Sequence, residues 1–268
     1  EDEDQKDCHE GFVKLFNSFQ ERDSVYEGRH YGGIGMNSPI FLNDNIVSNT
    51  FVGISTQESK FDDNTRSFTD NLTFGLKNSY QNSGFQATLT PLIGLGSRRN
   101  TDFDTDKSET RKNSIITQFA GINAKISNDF QRNEKSFLTL GLQSSFSAER
   151  SPEYNSNFTD GTLKVKENID QLLSNTLEAS YTSILTKSNF LAKIYAGGST
   201  FKNYNKNIEV EARGFNSDVS NQGNWSGYHA GISFVKDHPI FNFELDGRYE
   251  NQEGLKDKAL TFTINKKF

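Results

Sequence analysis

The chain has 268 residues, a hydrophobic fraction of 33% and a formal net charge of −6. That charge, with no sustained basic stripe, argues against a nucleic-acid binder, and the single cysteine, Cys8, excludes an internal disulfide or a cysteine-based metal cluster. No apolar run approaches the roughly 20 residues of a membrane helix, and a soluble fold of this size would struggle to fill a dry core from so few apolar groups.

No charged-then-apolar signal segment opens the chain, so it is expected to begin after signal removal or after loss of an upstream portion. The residues before Cys8, Asp4-Gln5-Lys6-Asp7, are unlike the small and apolar residues that precede a lipidated cysteine. Residues 1–10 therefore read as an N-terminal extension and residues 11–268 as one β domain. Gly11 to Phe19 is the first candidate strand. Phe12, Lys14 and Phe16 share one face with Ser18, and Val13, Leu15 and Phe19 share the other. A short helix over 8–20 is the alternative, because Phe12, Leu15, Phe16 and Phe19 also fall at helical spacing.

From Val25 onward the chain alternates repeatedly between apolar and polar side chains, the period of a two-faced strand. Gly28 to Gly35 has no following helix to supply amide donors to a phosphate. It reads as a strand whose small residues allow bending or close approach. Leu72, Phe74 and Leu76 oppose Asn71, Thr73, Gly75 and Lys77. Phe85, Ala87, Leu89, Pro91, Ile93 and Leu95 oppose Gln86, Thr88, Thr90 and Gly94. Ile116, Ala120, Ile122, Ala124 and Ile126 oppose Thr117, Gly121, Asn123 and Lys125. Leu138, Leu140, Leu142 and Phe146 oppose Thr139, Gly141, Gln143 and Ser145. Leu177, Ala179, Tyr181 and Leu185 alternate with Glu178, Ser180 and Thr182, and Phe190, Ala192, Ile194 and Ala196 with Lys193, Tyr195 and Gly197.

The pattern continues to the last residue. Tyr228, Ala230, Ile232 and Phe234 oppose His229, Gly231 and Ser233. Phe241, Phe243, Leu245, Gly247 and Tyr249 oppose Asn242, Glu244, Asp246 and Arg248. In the final strand Leu260, Phe262, Ile264 and Phe268 oppose Thr261, Thr263, Asn265 and Lys267. The connectors alternate between short (81–84, 128–134, 186–189, 236–239) and long and polar (58–67, 97–112, 149–164, 201–224). Short turns at one end and long loops at the other are the arrangement of an outer-membrane barrel. A soluble sandwich also alternates strands and turns, but it does not sort its loops by length. The expected fold is all-β, a transmembrane antiparallel barrel of about 12 strands, with grease outward and water inward.

On that reading the lumen is lined by Lys77, Lys125, Glu178, Lys193, His229, Glu244, Asp246 and Arg248. Each would be costly against lipid near the midplane. Their signs are mixed, so strong ion selectivity is not expected, and pairing that stiffens the wall outweighs a specific transport site.

Catalytic chemistry has little to stand on. None of His9, His30, His229 and His238 sits in a metal-binding spacing. His229, with Ser226 and Ser233 in the same region, lacks the motif of a lipid hydrolase. The Asp62-Asp63 pair and Asp102, Asp104 and Asp106 read as solvated loop charge, since the glycine and distal glutamate of a calcium loop are missing. The sequons at Asn71, Asn157 and Asn224 carry no force in a bacterial envelope protein. No cofactor or metal is expected.

The strand count, the Asp237-His238-Pro239 turn and the terminal Leu260, Phe262, Ile264 and Phe268 together resemble the translocator domain of bacterial autotransporters. The resemblance runs from about Gly11 to Phe268. It implies a pore that anchors and exports an N-terminal passenger polypeptide, with residues 1–10 the end of a linker or a passenger remnant. The terminal strand then looks like the signal read by the barrel assembly machinery, and outer-membrane lipid is the surrounding partner. A stand-alone passive channel and a surface adhesin or receptor acting through its long loops are the alternatives.

Overall fold

The computed structural model describes residues 10–22, 25–43, 45–60, 66–104, 109–158, 161–185, 190–205, 207–212, 215–220, 223–236, 241–252 and 255–267. The first seven strands are β1 (Glu10–Arg22), β2 (Val25–Leu42), β3 (Ile46–Lys60), β4 (Arg66–Asn82), β5 (Phe85–Asp104), β6 (Glu109–Asn133) and β7 (Ser136–Ser151). A hairpin of β8 (Tyr154–Phe158) and β9 (Gly161–Val165) precedes β10 (Asn168–Leu185) and β11 (Phe190–Asn203). A second hairpin, β12 (Asn207–Ala212) and β13 (Phe215–Ser220), precedes β14 (Asn224–Lys236), β15 (Phe241–Gln252) and β16 (Leu255–Lys267).

Twelve of these strands form a closed antiparallel barrel in the order β1-β16-β15-β14-β11-β10-β7-β6-β5-β4-β3-β2. Closure runs from Glu10 opposite Lys267 to Arg22 opposite Leu255. In an all-antiparallel cylinder the first and last strands must run in opposite directions, so only an even number closes. Residues 10–22 supply the strand that makes the count even, in place of the helical alternative.

The two faces separate by chemistry. Ile93 and Leu177, each 63% exposed, stand outward with Ile34, Ile54, Phe74, Ile122, Leu140, Ile194, Ile232 and Leu260, at least one on nearly every barrel strand. The buried side chains are mostly polar: Thr117 at 1%, with Ser180, Thr182, Ser199, His229 and Ser233. Among the described residues Ile115 is the one buried hydrophobic. This is a soluble protein turned inside out, and lipid is the only solvent that suits the outer face. Curvature identifies the inner face independently. Side chains on the concave side converge and reach over an intervening strand, as when Arg98 of β5 meets Glu149 of β7 at 2.5 Å across β6.

The strands run further than the alternation suggests. β6 has 25 residues and continues to Asn133 through most of the segment read as a connector, and the turn that follows is only Glu134-Lys135, with the Lys135 amide donating to Asn133 Oδ1 at 2.9 Å. Between β4 and β5 the turn is Ser83-Gly84, both with positive φ (46° and 87°). That is the backbone of the two-residue hairpin turn whose twist matches its strands, and glycine adopts it without steric cost. At the same end Asn43 Oδ1 accepts from the amides of Asn45 and Ile46.

The opposite end is more elaborate. β8, β9, β12 and β13 form a separate four-stranded sheet, order β13-β12-β9-β8, built from two segments expected to be plain loops. Ser156 of β8 is fully buried and accepts a hydrogen bond from Asn113 on the inner face of β6, so the sheet leans over the mouth. Lys166 pairs with Glu209 at 2.6 Å and Lys164 with Glu153 at 3.0 Å. At its foot the Arg150 guanidinium bonds both Glu167 oxygens at 2.9 and 3.0 Å, which holds that carboxyl below the usual carboxylate range.

Placing Arg at Leu142, at the centre of the outward apolar run from Leu138 to Phe146 of β7, is expected to destabilise the barrel by about 2–4 kcal/mol, whereas Arg at the inner position Gln143 costs far less. Urea unfolding in phosphatidylcholine vesicles distinguishes the two. Equal losses would contradict the assignment of faces.

The lumenal wall as candidate functional site

The inner face is built from aligned rows in which register decides what can touch. On one row Glu178 of β10 lies beside Gly197 of β11, which lies beside His229 of β14. On the next, Ser180, Tyr195, Gly231 and Arg248 follow one another. The glycines are what let the rows interlock. A Cβ on Gly197 would come within 2.6 and 2.8 Å of the His229 ring, and one on Gly231 within 2.4 Å of the Tyr195 ring. Only a bare backbone lets each larger side chain lie down over its neighbour.

The resulting network joins alternate strands. Glu178 accepts from Lys193 Nζ at 3.1 Å and approaches His229 Nε2 at 3.3 Å. Tyr195 donates to the Asp246 carboxylate, at 2.9 and 3.0 Å from its two oxygens, and the Lys193 ammonium sits 4.9 Å from the Tyr195 ring centre. Arg248 pairs with Glu250 at 2.7 Å, and Ser233 donates to Glu244 at 3.4 Å. Lys125, Glu178 and Lys193 also line a recess of about 280 Å³ in the wall, together with Gln86, Gln143 and Thr182.

Of the eight residues read as lumenal charges, the structure thus joins Glu178, Lys193 and His229 directly. It places Lys125 beside them, and links Asp246 to the group through Tyr195. Glu244 and Arg248 make their own contacts on the same wall. Lys77 is exposed on β4, in register with Asn49, and lies apart from the cluster.

His229 is 2% exposed and, among the described residues, its Nδ1 has no hydrogen-bond partner. It braces the wall and is withdrawn from anything in the bore. Ser226 is an even-numbered residue of β14 and falls on the outer face, while Ser233 is committed to Glu244, so neither forms a nucleophile–base pair with His229. Cys8, His9, Asp62, Asp63, Asp106, His238 and Phe268 lie outside the described residues. Leu260, Phe262 and Ile264 sit on β16, with Phe262 opposite Leu245 and its ring 6.3 Å from that of Phe243.

Sequence reasoning missed the inward aromatics. Phe51 lies over Gly75, Phe119 over Gly94, and Phe201 stacks on Trp225 at 5.1 Å, whose indole donates to Gln252 at 2.9 Å. The signal is an aromatic opposite a glycine, and it becomes readable only when strand register is known.

No protein-family model and no curated protein sequence matches the chain. Solved structures do. The translocator domain of the autotransporter NalP from Neisseria meningitidis superposes with a TM-score of 0.74 at 11% identity, over 100% of this chain and 90% of that one. The β domain of the Bordetella autotransporter BrkA gives 0.67 at 12% identity, over 98% and 100%. The transport unit of AIDA-I from Escherichia coli gives 0.67 at 13%, over 100% and 92%. The chain therefore shares its fold with these autotransporter barrels.

Glu178→Ala and His229→Ala are each expected to cost about 1–3 kcal/mol, and the double variant less than their sum by at least about 0.5 kcal/mol. A double-mutant cycle from urea unfolding in vesicles measures the coupling. Strict additivity would mean that the two do not interact across β11. Separately, deleting 207–220 is expected to raise single-channel conductance in planar bilayers, because it removes half of the sheet leaning over the mouth.

Proposed function

We propose that the chain is the membrane-embedded translocator of an autotransporter-type export system in the bacterial outer membrane. One observation carries the reading: a closed polar bore of twelve strands that coincides, over nearly its whole length, with three autotransporter barrels. Twelve strands spaced about 4.8 Å apart and tilted about 40° close at a backbone radius of about 12 Å. Inner side chains narrow the free bore to roughly the 10–12 Å of a single helix. An extended polypeptide or one helix fits, and a folded domain does not.

The mixed charges along the wall suit a passenger of any sequence, since neighbouring opposite charges bind each other more readily than a passing side chain. No catalytic step, cofactor or nucleotide enters the mechanism, and folding of the passenger outside would set the direction. The apolar face of β16, with Leu260, Phe262 and Ile264, is assigned as the feature read by the barrel assembly machinery. The lumenal roles of Lys77, Lys125, Glu178, Lys193, His229, Glu244, Asp246 and Arg248 belong to the same proposal: the seven others keep the bore wetted and its wall stiff, and the buried His229 serves the wall alone.

The test is export of an N-terminal reporter. A short unstructured epitope fused ahead of Glu1 is expected to become sensitive to external protease in intact cells. The same reporter locked by a disulfide into a folded domain is expected to stay inside. A barrel that conducts ions in planar bilayers while leaving the unstructured reporter wholly protected would favour the solute channel instead.

A further inference from the structure

Where β10 and β11 leave the barrel, their ladder is interrupted and then resumes. Leu172 faces Asn203 in the last pair of the barrel ladder, and one step further the Tyr204 amide donates to the Gln171 carbonyl at 3.0 Å. Pairing then lapses. It returns in the small sheet, where the Lys166 amide donates to the Glu209 carbonyl at 3.1 Å and Val165 faces Val210. Both strands skip the same length, 167–170 and 205–208, so β9 and β12 keep the register of β10 and β11. A cleft of about 450 Å³ lies at the lapse, within the roughly 300–1,000 Å³ of small-ligand sites.

The cleft opens on the flank of the barrel, away from the bore. Odd-numbered residues of β10 such as Leu177 face outward, as do Ile169 and Gln171, and Tyr204 is the register neighbour of Gln171. The charges around the cleft neutralise one another. Lys166 pairs with Glu209 at 2.6 Å, and both Glu167 oxygens accept from Arg150. Asn205 fixes the floor: its side-chain amide donates to Asn168 Oδ1 and to the Ile169 carbonyl, and its backbone amide donates to Asn203 Oδ1. Among the described residues neither the Gln171 side-chain amide nor the Tyr204 hydroxyl has a hydrogen-bond partner. The Lys202 ammonium covers one face of the Tyr204 ring, 4.6 Å from its centre, and the residue is still 48% exposed, which leaves the opposite face open.

We propose that this cleft is a binding site for a sugar ring of a cell-surface glycan. A pyranose has a face of C–H groups and a rim of hydroxyls that both donate and accept. The C–H face suits the open side of the Tyr204 ring, whose π-face is negative, and the hydroxyls suit the amides of Gln171 and Asn168, which also donate and accept. A charged ligand finds its counter-charges already paired, and an apolar one finds little besides Ile169. The inference is independent of what passes through the bore.

The full chain, refolded in detergent, is titrated with methyl α-glucoside, methyl α-mannoside and methyl N-acetyl-β-glucosaminide, with saturation-transfer NMR as the readout and heat-shifted electrophoretic mobility as the check on folding. At least one glycoside is expected to receive saturation. Tyr204→Ala is expected to weaken its binding at least about threefold, and Tyr204→Phe, which keeps the ring, to weaken it less. Gln171→Ala is expected to cost about threefold and serves alone if Tyr204→Ala does not fold. Gln143→Ala, on the bore side of the wall, is expected to bind like the parent. Competition by lipid-free core oligosaccharide would mark the cell's own envelope as the source of the glycan, and its failure a glycan from outside; either result upholds the site. Transfer to none of the three glycosides overturns the proposal, as does binding unchanged in Tyr204→Ala and Gln171→Ala. A loss in Gln143→Ala equal to that in Gln171→Ala overturns it too, because the sugar would then sit in the bore.

Discussion

Everything in this structure follows from the need to pair backbone N–H and C=O groups where no water can. Within hydrocarbon an unpaired group costs several kcal/mol, so a sheet crossing the membrane has to close. The antiparallel pairing of β1 with β16 meets that need over all thirteen residues of both strands. Once the cylinder is closed, the two-residue period of a strand divides every side chain between lipid and bore. The low hydrophobic fraction then ceases to be a deficit, because a barrel needs one coat of apolar groups on its outside and no apolar centre.

Closure also creates a packing problem on the inside. A concave wall crowds its side chains, and large residues cannot all stand upright on neighbouring strands. The wall answers with pairs of unequal size: Tyr195 over Gly231, His229 beside Gly197, Phe51 over Gly75. The Tyr195 and His229 rings each bring a polar atom to the strand beyond the one they cover, so the same geometry that relieves crowding carries the Glu178–His229 and Tyr195–Asp246 contacts. The glycines are thus part of the electrostatic network although they bear no charge.

The outer face was legible in the sequence because its requirement is local: every second residue of each strand must be apolar, and Ile116 through Ile126 or Phe241 through Tyr249 show it without reference to any other strand. Faces were therefore readable, and so was the approximate strand number. Residues 10–22 were ambiguous because both faces are partly apolar, and only pairing with β16 and β2 decides between strand and helix. Individual lumenal contacts were not readable, since Glu178 meets His229 only through a register set by the intervening β11. The sheet formed by β8, β9, β12 and β13 was hidden for a further reason. Its strands are five or six residues long, too short for alternation to stand out, and β9 finds its partner β12 beyond two full barrel strands.

The seam between β1 and β16 has a temporal meaning. Its two halves are the first and last strands of the barrel, so the pairing with the widest sequence separation is also the one that completes the cylinder. A chain cut short before Leu255 would hold two open borders, each an invitation to whatever strand arrives next. A check on the presence of Leu255–Lys267 is therefore built into assembly: the cylinder seals for copies that carry this strand and leaves the others recognisable.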